Sequence, residues 1–367
     1  MKILHVYKHA LPDSIGGVEA VIAALASFQA QAGHEVIVLA SMKRAASRTI
    51  EIDGYRIRFC KSIGSLGSTP FSGEFLLEFK SLVKNADIVN FHYPYPFADL
   101  CFLLFGRNKP SVVTYHSDIL RQRFLRKIYA PLQTLFMNRV QKVIATSPNY
   151  LATSNLLNKI KSRVEIVPLG CEDMVNHPQK IVPNTPKDKF FLFVGEFRYY
   201  KALEILIAAA SGVNAEILVA GSGKSHNRLV EMANQSLSDN VSFLGRVSNE
   251  EKFFLYENCY AVVFPSHMRA EAFGMTLIEA SMFGKPMISC EIGTGTSFVN
   301  LHEQTGIVIP PGDPVALSNA MNEMLRSPNK TQSWGKTARS RYVDLFQADQ
   351  MGTSYEKIYR KIIDRKR

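Results

Sequence analysis

The sequence predicts an α/β protein made of two doubly wound parallel sheets. Apolar, β-branched runs of strand length alternate with helix-length amphipathic stretches along nearly the whole chain, which is the rhythm of repeated βαβ units. The rhythm lapses over residues 174–189, "MVNHPQKIVPNTPKDK", a stretch that carries three prolines and reads as a linker. At 367 residues the chain also exceeds the length at which a single hydrophobic core keeps growing.

Taken in order, "KILHVY", "EVIVLA", "YRIRFC", "DIVNF", "SVVTY", "KVIAT" and "VEIVP" are the expected strands of the first half. Their nearly unbroken apolar character suits strands covered on both faces. Between the first two lies "VEAVIAALASFQAQAG", a helix closed by Gly33. After the linker the alternation restarts with "FFLFV", "AEILVA", "VSF", "AVVF", "PMIS" and "GIVI". The last segment puts Met351, Tyr355, Ile358, Tyr359 and Ile362 on one helical face with basic residues opposite. The expected domains are therefore 1–173, the linker 174–189, and 190–347, followed by a helix over 348–367.

Composition narrows the function. Hydrophobic residues make up 46% and charged residues 20% of the chain, an ordinary globular balance. Cys60, Cys101, Cys171, Cys259 and Cys290 form no C-x-x-C pair and have no His at ligand spacing, so neither a disulfide framework nor a metal site is expected. The opening "MKILHVYKHALPDS" is broken by His5, Lys8 and His9, too little for a signal-peptide core, and no apolar run approaches spanning length. A cytoplasmic protein is expected. Lys and Arg exceed Asp and Glu by 43 to 32, and the resulting +11 calls for an anionic partner: a nucleotide, nucleic acid or phospholipid surface.

Two doubly wound domains facing across a cleft would direct helix N-termini and Gly-rich turns at a phosphate-bearing ligand. "SIGGVEA" (14–20) and "VGEFRYYKA" (194–202) each follow a strand and lead into a helix. Gly16 and Gly17 would let backbone approach a phosphate, and Arg198 and Lys201 would add positive charge. The plainer reading is a connecting Gly-Gly turn and two solvated cations. In "RAEAFGMTLIEASMFGKP" (269–286) the helix is "MTLIEASMF", stopped by Gly284, with backbone N–H groups around Gly274 and Met275 open to an anion. Glu279, in the second turn, can accept from a vicinal diol such as a ribose, and Glu271 from hydroxyls beyond the phosphates. The competing reading has Glu271 balancing Arg269 and Glu279 solvated, but it leaves Phe273 and Gly274 between them unexplained.

The Glu271-x7-Glu279 spacing with "AFG" after the first Glu resembles the signature of retaining nucleotide-sugar glycosyltransferases of family 4, which have the two-Rossmann GT-B architecture. "GGVE" (16–19), "TYHSD" (114–118), "ATSPNY" (145–150), "VPLGCE" (167–172), "AGSG" (220–223) and "TGIVIPPGDPVAL" (305–317) fall in the family's order over nearly the whole chain. The resemblance implies that the second domain holds a nucleoside-diphosphate sugar, that the first holds a saccharide or lipid-linked acceptor, and that the terminal helix crosses back to the first domain. It implies retention of anomeric configuration without an obligatory metal or other cofactor. It places Arg198 and Lys201 on the leaving diphosphate with Gly17 and Gly274, Glu279 on the ribose, Glu271 on the donor sugar, and His116 at the reaction centre. "HSD", "RYYK" and "GTGTSFVN" further resemble bacterial enzymes, often mannosyltransferases, that extend O-antigen, capsule or exopolysaccharide repeats.

Two positions depart from the family pattern. Glu196 stands where an Arg is common, beside the expected diphosphate, and Ala202 stands where a Gly usually follows the lysine. The alternative to an active transferase is therefore a degenerate member that binds a sugar nucleotide or assists a partner. Glu196 is expected to turn from the phosphates and pair with a basic side chain. "AGSGKS" (220–225) fails as a Walker A loop, because Leu218 holds the place of its first Gly, and as a dinucleotide fingerprint, because position 226 is His226. The basic residues are not interleaved with aromatics in a nucleic-acid-binding module, so no nucleic acid is expected. Finally, "SDILRQRFLRKIYAPLQ" sets Leu120, Phe124, Leu125 and Ile128 along one face, with Arg121, Arg123, Arg126 and Lys127 around it until Pro131 interrupts the helix. Two readings stand: peripheral contact with the anionic inner face of the plasma membrane, or a helix packed on the sheet with a solvated basic face.

Overall fold

The computed structural model describes residues 1–42, 46–119, 123–236 and 239–365, and the side chains of 123–126 lie outside the description. Contacts divide the chain into two compact units, Met1–Glu172 with Gln347–Arg367, and Asp173–Phe346.

The first unit is built on β1 (Lys2–Val6), β2 (Glu35–Met42), β3 (Arg48–Ile52) and β4 (Tyr55–Lys61), with a small antiparallel ribbon of β5 (Gly64–Leu66) and β6 (Thr69–Phe71). It continues with β7 (Ile88–Tyr93), β8 (Ser111–Tyr115), β9 (Lys142–Ala145) and β10 (Val164–Ile166). The main sheet runs β10-β9-β8-β7-β1-β2-β4-β3. All of its pairs are parallel except β3 with β4. That antiparallel edge corrects the expectation of an unmixed rhythm. "RTIEI" is polar and exposed at alternate positions, as an edge strand with one covered face must be.

The C-terminal helix Ala348–Asp364 belongs to this unit and packs on the helix Gly17–Gln31. Its face of Met351, Tyr355, Ile358, Tyr359 and Ile362 is buried. Gly352 is required there, because a Cβ would lie 2.1 Å from the Phe28 ring. Cys171 and Gln347 form a β-bridge where the chain leaves and re-enters the unit.

The second unit is a six-stranded parallel sheet, β13-β12-β11-β14-β15-β16, from β11 (Phe190–Val194), β12 (Glu216–Ala220), β13 (Val241–Gly245), β14 (Ala261–Phe264), β15 (Met287–Cys290) and β16 (Gly306–Ile309). β11 and β14 are buried at every position. The stretch 174–189 has no helix or strand, yet it is part of this unit: the Lys180 N–H donates to Glu250 O at 3.2 Å and Val182 is buried.

Pro131 does not interrupt its helix. The helix runs Arg123–Arg139 straight through it, because the proline removes a single donor while Tyr129, Phe136 and Met137 anchor both sides in the core. The expected membrane-facing residues Leu120, Arg121, Arg123, Phe124, Leu125 and Arg126 fall on positions whose structure or side chains lie outside the described residues. Among the described residues, no helix is long and apolar enough to cross a membrane.

Candidate functional site

In the second unit the functional side chains gather at the carboxyl ends of β11 and β14. Past β11 the chain turns at Gly195 (φ +154), makes a single tight turn over Tyr199–Lys201, and enters the helix Leu203–Ala210 through Ala202 in the left-handed region (φ 51, ψ 43). Lys201 is thereby turned inward. Its ammonium lies 2.5 Å from the Glu271 carboxylate and 4.3 Å from the centroid of the Phe264 ring at the end of β14. Both side chains are largely buried, so the carboxylate compensates a charge that would otherwise be costly there. Ser266 donates a longer hydrogen bond, 3.4 Å, to the same carboxylate.

The Glu271 loop is fixed by the turn that follows the neighbouring strand, β15. Thr294 Oγ1 donates to Glu271 O (2.8 Å) and the Gly295 N–H to Ala272 O (2.9 Å). A Cβ on Gly295 would strike the Phe273 ring at 2.3 Å, so the "GTG" turn is what lets Phe273 sit buried beside the loop. Gly274 (φ 87) then turns the chain into the helix Met275–Met282, and Thr276 Oγ1 ties the first turn of that helix to Val194 O at 3.2 Å.

Glu279, one turn on, is not solvated. Lys252 Nζ stands 2.6 Å from its Oε1, and the Tyr256 hydroxyl donates to its Oε2 at 2.8 Å. Both partners come from the helix Asn249–Asn258, which Ser248 and Glu251 start as a capping box. Glu196 pairs with Arg198 at 2.8 Å, both about half exposed. That neutralises the carboxylate where the family resemblance implies a cation, and it also engages Arg198. The glycines of "AGSG" have a packing role: a Cβ on Gly221 would meet Gly195 O at 1.9 Å, and one on Gly223 would meet Phe197 O at 2.5 Å.

The first unit carries a site of another kind. His116 follows β8, and its N–H donates to Tyr93 O at 3.1 Å. Its Nε2 lies 2.9 Å from His92 Nδ1, whose Nε2 lies 3.0 Å from His5 Nδ1. Burial pushes His116 down to about 3, with Lys8 adding to the effect, and His5 down to about 4 against the opposing hydrogen bond to Gln29. His92 is held well below the ordinary range by burial and by its two histidine neighbours. All three are neutral at physiological pH. Nearby, burial raises Asp99 to about 8, and Tyr129 donates to its carboxyl.

At the N-terminus of the helix Gly17–Gln31 a carboxylate stands where an incoming phosphate was expected. Glu19 Oε2 would lie 2.5 Å from a Cβ on Gly16, and Ser14 Oγ donates to Glu19 Oε1 at 3.1 Å. Gly16 is extended (φ −162), so its use is room for that side chain rather than an unusual backbone. Gly17 simply opens the helix.

The structure thus brings Lys201, Glu271, Phe273, Gly274, Met275 and Glu279 together, with Arg198 and Glu196 on the same loop. His116, Gly16 and Gly17 belong to the other unit. Sequence reasoning missed Lys252, Tyr256, Ser266, Thr294, His5 and His92. Lys252 and Tyr256 share an i, i+4 face after a visible capping box, which is a usable signal. The two histidines carry none, since only strand order brings them together.

The chain resembles known proteins along nearly its whole length. The model of the family described as "Glycosyl transferases group 1" matches residues 177–341, and that of "Glycosyltransferase Family 4" matches residues 15–173. The chain is 40% identical over 370 residues to O-antigen chain mannosyltransferase C of Escherichia coli, covering 100% of both chains. It is 41% identical over 354 residues to D-rhamnosyltransferase WbpZ of Pseudomonas aeruginosa, covering 95% of this chain and 93% of the other. Among solved structures, sucrose-phosphate synthase of Thermosynechococcus elongatus matches with a TM-score of 0.80 at 23% identity over 99% of each chain. Anabaena HepE in complex with UDP matches with a TM-score of 0.77 at 17% identity, covering 98% of this chain and all of the other. These last two likenesses show the GT-B fold.

Proposed function

The chain belongs to the group 1 and family 4 glycosyltransferases, and from that premise we propose that it moves a hexose from GDP-mannose or a UDP-sugar, with retention, to a hydroxyl of a lipid-linked or oligosaccharide acceptor in bacterial surface polysaccharide synthesis. The observation that carries the donor half is the convergence of Lys201 and Glu271 at 2.5 Å beside the start of the helix that bears Glu279. The end-to-end match to the O-antigen chain mannosyltransferase supports the acceptor class.

In the transfer, the bond from the anomeric carbon to the diphosphate oxygen breaks through an oxocarbenium-like centre, and the acceptor hydroxyl oxygen bonds to that carbon on the same face. Its proton passes to the departing diphosphate, and negative charge grows on the leaving group as the bond breaks. Lys201 is the cation set to meet that charge. A diphosphate draws its ammonium away from Glu271, and the released carboxylate accepts from the donor sugar hydroxyls. Arg198 makes the same exchange with Glu196. Glu279 accepts from the ribose diol through lone pairs that Lys252 and Tyr256 leave open, and His116 receives a hydroxyl at the reacting centre. Cations of the chain, without an obligatory metal or other cofactor, neutralise the diphosphate in this reading.

The protein works at the cytoplasmic face of the membrane in this proposal, with an anionic surface as a further partner and no role for nucleic acid. Ile128 and Leu135 are exposed on the helix Arg123–Arg139, and Leu104 and Phe105 are exposed on a segment packed against it. Such apolar side chains beside Lys127 and Arg139 suit an interfacial contact.

The test is a panel of nucleoside-diphosphate sugars supplied with a lipid-linked acceptor, with the anomeric configuration of the product read by proton NMR. Transfer from one donor with retention is expected. Inverted product overturns the mechanism, and absence of both transfer and nucleotide-induced thermal shift overturns the donor assignment.

A further inference from the structure

The three neutral histidines of the first unit form a file with a direction, and His116 is only its outer end. β8, β7 and β1 are neighbours in the sheet, and their registers pair His92 with Thr114 and His5 with Asn90. His116, His92 and His5 consequently line up across three strands. The His116 and His92 rings are 5.2 Å apart and nearly coplanar, edge to edge, and the His92 and His5 rings are 5.3 Å apart. His116 keeps 5% of its surface exposed, against 1% for His92 and 0% for His5 and Gln29.

A neutral imidazole has one N–H and one lone pair, so each contact in the file decides the next. At the inner end His5 Nε2 lies 2.8 Å from Gln29 Oε1, an atom that can only accept. With the Gln29 amide in this orientation His5 carries its hydrogen on Nε2, which leaves Nδ1 as an acceptor. The Asn90 amide is oriented to match. Its Oδ1 accepts from Thr114 Oγ1 at 3.0 Å, which turns its Nδ2 donor toward His5 Nδ1 at 3.5 Å. Thr114 is held in turn by the Tyr355 hydroxyl of the C-terminal helix, at 2.9 Å. With His5 Nδ1 accepting, His92 donates from Nε2 and accepts at Nδ1. His116 must then donate from Nε2.

We propose that His5, His92, Gln29 and Asn90 are positioning residues that fix His116 as its Nε2–H tautomer, so that Nδ1 meets a substrate hydroxyl as a lone-pair acceptor. The functional consequence rests on the reading of His116 as a group of the reaction centre; the tautomer itself does not. The low proton affinity that burial gives all three rings keeps the file neutral, and a neutral file cannot lose its direction by picking up a proton at physiological pH. His116 acts accordingly as an acceptor that orients a hydroxyl, not as an acid. No proton moves along the file and no bond forms or breaks in it.

The test is proton–nitrogen correlation spectroscopy of the full chain with isotope-labelled histidine, which reports the tautomer of each ring. Wild-type His116 is expected to show a protonated Nε2 and an unprotonated Nδ1. Gln29→Met removes the terminal acceptor without touching His116 and is expected to give a mixture of His116 tautomers. Its kcat is expected to fall about twofold to tenfold in proportion to the lost Nε2–H population, with donor KM held within about twofold. His5→Phe gives a second opening of the file if Gln29→Met does not fold. Wild-type His116 protonated on Nδ1 overturns the proposal, as does a folded Gln29→Met or His5→Phe whose His116 tautomer is unchanged. A mixed tautomer with unchanged kcat overturns the link to transfer. If His116→Ala instead keeps wild-type turnover, the placing of His116 at the reaction centre is what fails, and the spectra still decide the tautomer.

Discussion

The two units share an architecture, a largely parallel sheet with the candidate functional residues toward the carboxyl ends of its strands, but hold those polar groups in opposite ways. In Asp173–Phe346 the groups are charged and matched in pairs: Lys201 with Glu271, Lys252 with Glu279, Arg198 with Glu196. In the first unit they are neutral and buried: His5, His92 and His116 with Gln29, Asn90 and Thr114. A matched ion pair is a site whose partner can be replaced, because an incoming anion offers the cation what the carboxylate already gave. A neutral hydrogen-bonded file cannot exchange partners so cheaply and serves to hold one geometry. The first arrangement suits a diphosphate that arrives and leaves, the second a hydroxyl that must be aimed.

The sharpest way to break this comparison is to unmatch a pair. Lys201→Ala leaves Glu271 largely buried without its cation and takes away charge that the leaving group needs. Turnover at saturating donor is expected to fall about 100-fold to 1000-fold, and thermal unfolding should come at lower temperature. Steady-state kinetics beside a melting curve measures both. A variant with near-normal kcat would mean that Lys201 is only a structural counter-ion.

The neutral side of the comparison makes a pH prediction. Histidines whose folded values lie far below 6.5 take up protons on unfolding in acid, so their stabilising share falls as pH drops through 6.5. Asp99, raised from 3.8 to about 8, has the opposite sign: it stays protonated when folded and ionises on unfolding, so its share falls as pH rises toward 8. Near about pH 5 three histidine protons gained against one Asp99 proton lost leave about two, a slope on the order of 3 kcal/mol per pH unit. The melting temperature should therefore climb steeply to about pH 6, pass a maximum, and decline gently toward about pH 8. Asp99→Asn should remove the decline and leave the climb. A flat acid limb would show that the histidines are not buried neutral.

How legible these features were depended on whether their cause was local. Strands such as "FFLFV" and "AVVF" stood out because a strand covered on both faces needs an apolar residue at every position. The edge strand Arg48–Ile52 and the ribbon Gly64–Phe71 escaped notice, since half-covered and very short strands leave weak patterns. The Glu271 and Glu279 pair was visible from spacing, but its partners were not, because Lys252 and Tyr256 lie 27 and 23 residues away on another helix. His5 stood out only as a break in the apolar opening stretch, and His92 was not singled out at all. Their role exists only once β1, β7 and β8 are neighbours.

Glu279 separates binding from chemistry. A ribose contact is nearly the same in the ground and transition states, so Glu279→Ala should raise donor KM about tenfold and leave kcat within about threefold. The loss of a partner for Lys252 adds a modest drop in melting temperature, which Glu279→Gln should lessen by keeping the Tyr256 hydrogen bond. Calorimetric titration with the free nucleoside diphosphate should show the same loss of affinity. A kcat that collapses at saturating donor would place Glu279 nearer the reacting atoms.

The smallest expected effect belongs to Ala202, at the turn that aims Lys201 inward. Its φ of 51 and ψ of 43 lie in the left-handed region, where a Cβ costs about 1–2 kcal/mol and a glycine is the relaxed choice. Two terms oppose that gain in Ala202→Gly. The unfolded chain gains freedom worth about 0.4–1 kcal/mol, and a methyl group that is 1% exposed is lost from the interior, at about 0.8 kcal/mol. The three nearly cancel, so Ala202→Gly should change stability by less than about 1 kcal/mol and alter kcat little. Near-cancellation also explains how an alanine can stand where glycine is usual without disturbing the Lys201–Glu271 pair. Ala202→Val shares the backbone cost, adds β-branched crowding and should destabilise by several times more. The two variants, compared by denaturant unfolding, decide the matter: a Gly variant that gains activity by an order of magnitude would show the turn to be strained and the charged site held off its working geometry.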